Sequence, residues 1–259
     1  MTGLAAYTLW RRELTRFFRQ PSRIAGAAGT PLIFWLLVGS GLSGSFRLPG
    51  GPAGLDYLEY FFPGTVALVL LFAAIFSNIS VIEDRNQGFL QGVLVAPVPR
   101  SEIVAGKVLG GATLAWLQGL AFLALAPVSG IHLTWLSALK AAGVLALLAI
   151  GLTSLGFAFA WKLDSTQGFH AVMNLVLFPM WLLSGSLFPA SGAPAWLSAA
   201  MWLNPLTYGI AALRWAFYGG SAVLGAGMPG PALSVGVTAA MALAAFALCW
   251  FVTRGGRVE

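Results

Sequence analysis

The chain has 259 residues, of which 58% are hydrophobic and only 8% charged, with a net charge of +6 and a mean hydropathy of +0.84. A soluble domain carries about 25% charged residues, so this composition excludes an ordinary soluble enzyme, a disordered chain and a secreted disulfide scaffold. What remains is an all-α integral membrane protein.

Residues 1–23 hold Arg11, Arg12, Arg16, Arg19 and Arg23 ahead of any long apolar stretch. That order does not read as a cleavable signal. Tyr7, Trp10, Leu14 and Phe17 recur at helical spacing while the arginines mostly avoid that stripe. The pattern predicts a basic amphipathic helix over 4–18, lying in the membrane interface; a solvated basic flank is the alternative. The first apolar interval, 24–42, is long enough to span and is interrupted by Pro31. A short outer loop over 43–60 leaves no room for a large external domain.

Charge-free intervals at 61–82, 108–127, 141–161 and 171–189 predict four more spans, and 232–253 the last. The interval 196–218 is also apolar, but Asn204-Pro205 breaks it and it carries Arg214. Proline removes a backbone donor and disfavours helix in the residue before it. The expectation is a re-entrant pair of short helices within 190–220; a seventh span is the alternative. Six spans place both termini on one side, and eleven of the fourteen Lys and Arg go with them. Positive charge collects on the cytoplasmic side, so both termini are expected there. This gathering argues for membrane orientation and against a nucleic-acid partner.

None of the six span intervals contains Asp, Glu, Lys, Arg or His. Ion-coupled transport needs such groups near mid-membrane. His132 and His170 sit far apart at span edges, no ligand set for a metal converges, and Cys249 is the one cysteine. Gly106-Lys107 is followed by Val108 and lacks the glycine five residues earlier that a phosphate loop requires. The chain is not expected to be an enzyme, and energy for any work would come from elsewhere.

Two stretches carry more specific information. In 83–107, Glu83 and Asp84 would load a helix start with negative charge. Phe89 with Val93, and Leu90 with Leu94, form apolar pairs at i,i+4 on the cytoplasmic side. Pro97 and Pro99 stop that helix, and Ser101-Glu102 could cap the next. An exposed apolar helix suggests a docking surface; a loop packed under its own bundle is the other reading. After the fifth span come Gly185, Pro189, Asn204, Pro205, Tyr208 and Arg214, which by themselves are loop punctuation. Gly106, Gly110, Gly111 and Gly119 permit close helix approach, most simply inside one subunit.

The first stretch resembles the cytoplasmic loop of the type-2 ABC transporter permeases in Glu83, Gly88, Leu90, Leu94, Pro97, Val98, Arg100, Gly106 and Lys107. The second resembles that family's C-terminal signature, a small Ser-Gly element, then Asn-Pro-Leu-x-Tyr and an Arg. Phe62-Pro63-Gly64 is a weaker match. The likeness extends over nearly the whole chain and implies one transmembrane permease domain over 1–259. It implies a coupling loop in which Glu83, Asp84, Arg85, Gly88, Phe89, Leu90, Leu94, Pro97 and Arg100 meet a separate ATP-binding cassette ATPase. It further implies a second permease copy, a bacterial inner membrane, and export of an amphipathic or hydrophobic substrate. No cofactor is expected on this chain, ATP and Mg being held by the partner. A stand-alone channel, facilitator or assembly protein without ATP coupling is the rival reading.

Overall fold

The computed structural model describes residues 3–44, 56–219 and 228–255. Arg47, Arg257, most of the 43–60 loop and the last residue of the 190–220 segment lie outside the described residues.

Ten α-helices follow one another, and no strand occurs among the described residues. They are α1 (Leu4–Phe18), α2 (Pro21–Leu42), α3 (Tyr57–Asn86), α4 (Phe89–Val95), α5 (Arg100–Leu123), α6 (Trp135–Lys162), α7 (Thr166–Leu182), α8 (Ala195–Leu203), α9 (Pro205–Tyr218) and α10 (Pro231–Gly255). Helix α3 is the axis of the bundle, buried along nearly all its length, with α2, α5, α6 and α7 packed around it. Helix α10 covers α6 and α9, and α1 lies along α5.

The outer helices bury narrow stripes. Ala27, Pro31, Trp35 and Gly39 are the buried positions of α2, and Phe169, Met173, Leu177 and Trp181 those of α7. Both sets repeat every four residues, the spacing of one helix face. Their remaining faces are apolar and exposed, as a lipid-facing surface requires. At one end of α2, Trp35 stacks edge-on to Phe62 and Phe122 with centroids 5.4 and 5.8 Å away.

Several boundaries differ from expectation. The third interval closes at Leu123, not Pro127, and Ala126–Ser129 form a separate 3₁₀ turn that begins at that proline's neighbour. Pro31 does not interrupt α2: its ring is buried against the bundle and the helix runs through it. The fifth apolar interval closes at Leu182, not Pro189, because Gly185 takes a left-handed φ of 78° and turns the chain back. Five helices are therefore long and apolar enough to cross a membrane. Helix α7, with 17 residues, measures roughly 26 Å at 1.5 Å per residue, just under the ~30 Å hydrocarbon core. Finally, Ser101 caps nothing: α5 begins at Arg100 with Pro99 before it and no side-chain cap.

The Asn204-Pro205 break is present. The Asn204 side chain caps α9 by accepting from the Leu206 N–H at 3.0 Å, and its amide donates to the Met180 carbonyl of α7 at 2.5 Å. Both described chain ends meet the 83–107 connection. The Gly3 N–H donates to Glu102 at 3.0 Å, and Arg100 donates to the Thr253 carbonyl at 2.5 Å.

Candidate functional site

Helix α3 has no break at Ile82. It continues to Asn86, so Glu83 and Asp84 close a long helix and do not open a short one. Carboxylates at that end oppose the helix dipole, and the structure answers with cations. Asp84 is fully buried and accepts two bonds from Arg12 at 2.8 and 2.7 Å, one from Arg16 at 2.8 Å, and one from Lys107. Glu13, 5% exposed, accepts from Lys107 at 2.6 Å, from the Ser80 hydroxyl at 2.7 Å and from Arg12 at 3.3 Å. Glu83 accepts from Arg16 and Arg23, each at 2.5 Å.

Four cations and three carboxylates thus bind α1, α2, α3 and α5 into one cluster. The Asp84 carboxylate holds the Arg12 guanidinium above its ordinary pKa. Desolvation offsets most of what such pairs gain, whereas deleting one partner strands a buried charge at about 3–5 kcal/mol. The cluster therefore specifies how α1 sits more than it adds to stability. Close approach is secured by Gly106 and Gly110: a Cβ would lie 2.7 Å from the Ala6 carbonyl at the first and 2.9 Å from the Glu13 Cβ at the second. Gly111 and Gly119 likewise face side chains of this subunit, Ser77 and Leu70.

Beyond α3, Gly88 takes a φ of 76° and admits the seven-residue helix α4. Leu90 is buried, not exposed as its apolar pairing suggested, because α4 folds back onto α3. Arg85 also turns inward, donating to the Trp161 carbonyl, and at 3.0 Å to both the Leu163 carbonyl and Asp164. Together they leave an open apolar groove of ≈ 610 Å³ between α1 and α4. Leu4, Ala5 and Leu9 form one wall; Phe89, Val93 and Pro97 form the other. Arg12 joins groove to cluster, its guanidinium lying 3.8 Å from the centre of the Phe89 ring. Leu94 is half-buried and Val95 is 86% exposed beside it.

The C-terminal signature converges at the opposite end of α3. Arg214 of α9 is 6% exposed and donates to the Gly185 carbonyl at 2.9 Å, with its guanidinium 4.2 Å from the Tyr60 ring centre. Tyr60 itself donates to Gly185 at 3.0 Å, and the Trp181 indole donates to the Gly64 carbonyl at 2.8 Å. A Cβ on Gly64 would lie 2.6 Å from that of Ser186, so the Phe62-Pro63-Gly64 element seats the Ser-Gly turn. Tyr208 donates to the Trp202 carbonyl at 3.0 Å, tying α9 to α8. Pro189 precedes a 3₁₀ turn and joins none of these bonds. This assembly is a structural clasp. No group of three or more His, Cys, Asp or Glu that could hold a metal occurs among the described residues.

Sequence reasoning missed the charged cluster. Its signal was present: Leu9, Glu13 and Phe17 repeat every four residues and form the buried face of α1, with a carboxylate in an otherwise apolar stripe. The expected stripe of Tyr7, Trp10, Leu14 and Phe17 meets the buried face only at Phe17, its other members lying on the neighbouring, less buried side.

Comparison with known proteins bears on this arrangement. The family model described as ABC-2 type transporter matches residues 5–218. The chain is similar to the inner membrane transport permease YadH of Escherichia coli (strain K12), 26% identical over 263 residues, covering 98% of this chain and 96% of that protein. It is similar to nodulation protein J of Rhizobium leguminosarum bv. viciae, 28% identical over 215 residues and covering 82% of each. A putative transport permease, ycf38 of Cyanophora paradoxa, is 27% identical over 215 residues, covering 82% of this chain and 73% of that protein.

Proposed function

The chain belongs to the ABC-2 type transporter permease family of multi-pass membrane proteins, and from that premise we propose that it is the transmembrane subunit of an ATP-driven exporter of an amphipathic or hydrophobic substrate. The family implies an ABC ATPase partner. The observation that carries the reading is the open groove between α1 and α4. It is apolar, it is built by two elements outside the long spans, and its wall residue Phe89 touches the buried cluster through Arg12. A partner that closes on ATP pushes there, and the cluster passes the displacement to α3 and α5 together. ATP supplies the differential stabilisation of two states that directed transport needs.

Of the residues assigned to coupling, Phe89, Pro97 and the exposed edge of α4 contact the ATPase. Glu83, Asp84 and Arg85 act behind them by fixing α1, α3 and α6; Gly88 shapes the turn, and Leu90 and Leu94 seat α4. Arg100 anchors α5 to the end of α10. Six crossings, with α7 as the sixth and α8–α9 as a re-entrant pair, agree with chain ends that share one end of the bundle. That end is cytoplasmic, in a bacterial inner membrane. A second copy completes the translocation path, and the ATPase subunits, not this chain, hold ATP and Mg.

Gly92 lines the groove and supplies the test, since a Cβ added there meets nothing within 4 Å and a larger side chain can extend into the open groove. Gly92→Trp fills the groove without disturbing the bundle. The expected result is loss of the co-purifying ATPase at an unchanged melting temperature. Retention of the ATPase with full transport would refute the groove as the docking site.

A further inference from the structure

Every arginine of α1 is not spent in the same way. Arg12 and Arg16 are consumed by Glu13, Glu83 and Asp84. Arg11 and Arg19 are exposed, and neither has a carboxylate within 4 Å among the described residues. With Thr8 and Thr15 they line a shallow cleft of ≈ 610 Å³ on the face of α1 turned away from α5, flanked by Arg12 and Arg16. The chain has only eight acidic residues against fourteen Lys and Arg, so an internal counter-ion is scarce.

What borders the cleft decides the partner. At about 100° per residue, Tyr7 and Phe18 fall on one flank of Arg11, and Thr15, Thr8 and Arg19 on the other. Tyr7 is 55% and Phe18 60% exposed. Two exposed aromatics beside two guanidinium groups without an internal carboxylate match a ligand that is anionic at one end and apolar at the other. The Thr8 and Thr15 hydroxyls already donate to the Leu4 and Arg11 carbonyls. A free phosphate would leave the aromatic row uncovered, and an acidic peptide would find no acyl-like contact to match it. Guanidinium is suited to phosphate by its planar fork of donors, and interfacial basic pockets hold anionic headgroups.

We propose that this cleft is a binding site for an anionic phospholipid, its phosphate held by the Arg11 and Arg19 guanidinium groups and its acyl region against Tyr7 and Phe18. The lipid anchors α1 in the interface from outside while the buried cluster anchors it from inside. The proposal rests on the placement of α1 at the membrane surface and is independent of ATP coupling.

The test uses the full chain purified in mild detergent, without the ATPase. Binding of phosphatidylglycerol and of phosphatidylcholine is followed by native mass spectrometry and by thermal shift. Wild type is expected to retain and be stabilised by phosphatidylglycerol in preference to phosphatidylcholine. Arg11→Gln/Arg19→Gln, whose side chains make no internal ion pair, is expected to weaken phosphatidylglycerol binding about thirty-fold while melting normally without lipid. Arg254→Gln is the control, because Arg254 is exposed and stacks on Trp250 at 3.6 Å elsewhere on the surface. Equal retention of both lipids, or equal loss in the control, overturns the site as non-specific basic charge. A shift reproduced by inorganic phosphate alone overturns the lipid as its ligand, and one reproduced by polyglutamate assigns the cleft to a protein partner instead.

Discussion

Replacing Lys107 by Met tests whether the buried cluster governs the seating of α1. Lys107 is 4% exposed and its ammonium serves Glu13 at 2.6 Å as well as Asp84, and Met preserves most of the stem's packing. Asp84 keeps its three guanidinium bonds from Arg12 and Arg16. Glu13 is left with the Ser80 hydroxyl and the 3.3 Å contact from Arg12, so the loss falls on Glu13. A stranded buried carboxylate costs about 3–5 kcal/mol. At about 2–4 °C per kcal/mol for a chain of this size, the melting temperature should fall by roughly 6–20 °C. Adding Glu13→Gln removes the stranded charge, so the double variant should recover about 1–3 kcal/mol relative to the sum of the singles. Melting followed by size-exclusion fluorescence in detergent measures all four corners of the cycle. A fall under about 2 °C for Lys107→Met, or strict additivity in the cycle, would refute the reasoning.

Two further outcomes follow from the clasp at the other end of α3. Gly64→Ala places a Cβ 2.6 Å from the Ser186 Cβ and 2.9 Å from its Cα, and overpacking of that kind costs about 1–3 kcal/mol. Gly143→Ala on α6 meets nothing within 4 Å and should be neutral or gain up to ~1 kcal/mol of helix propensity; equal melting of the two variants would contradict the packing described. Arg214→Lys retains the charge but cannot combine the Gly185 bond with stacking on Tyr60. Loss of a buried charged hydrogen bond should cost about 1.5–3 kcal/mol, read as a lower melting temperature, and a wild-type melt would exclude the clasp.

The long helices were legible because bilayer solvent imposes a single coarse demand, an unbroken run of apolar residues. Helices α2, α3, α6 and α10 each cover the interval expected for them, usually with added residues at one or both ends, while α5 starts before its interval and stops at Leu123, four residues short of Pro127. The α8–α9 break was legible in Asn204-Pro205, where backbone chemistry acts locally. Neither the charged cluster nor the burial of Leu90 is local. Asp84 looks like a loop residue until α3 is seen to run past Ile82, and its partner Arg12 lies 72 residues away in sequence. One consequence concerns the substitution Leu90→Asp, which exposed pairing would recommend for separating ATPase activity from transport. At 1% exposure for Leu90 it would bury an unpaired carboxylate, so it reports on folding, and the open position Gly92 is the proper probe. The residues proposed for coupling and those of the signature form a pattern in the sequence. Their division into groove wall, internal brace and outer clasp required the packing.

The span between Glu13 and Lys107 also orders events at the ribosome. The two residues are 94 positions apart, and at about 5–20 residues per second the lysine is made roughly 5–20 s after the glutamate. Through that interval α1 is complete but its latch is not, and Glu13 with its arginines stays hydrated beside the nascent chain. Helices α2 and α3 must already be threaded before α5 can deliver the last cation. Helix α1 is thus synthesised well before the cation that secures it, so its docking records that the third long helix has been inserted in the right sense.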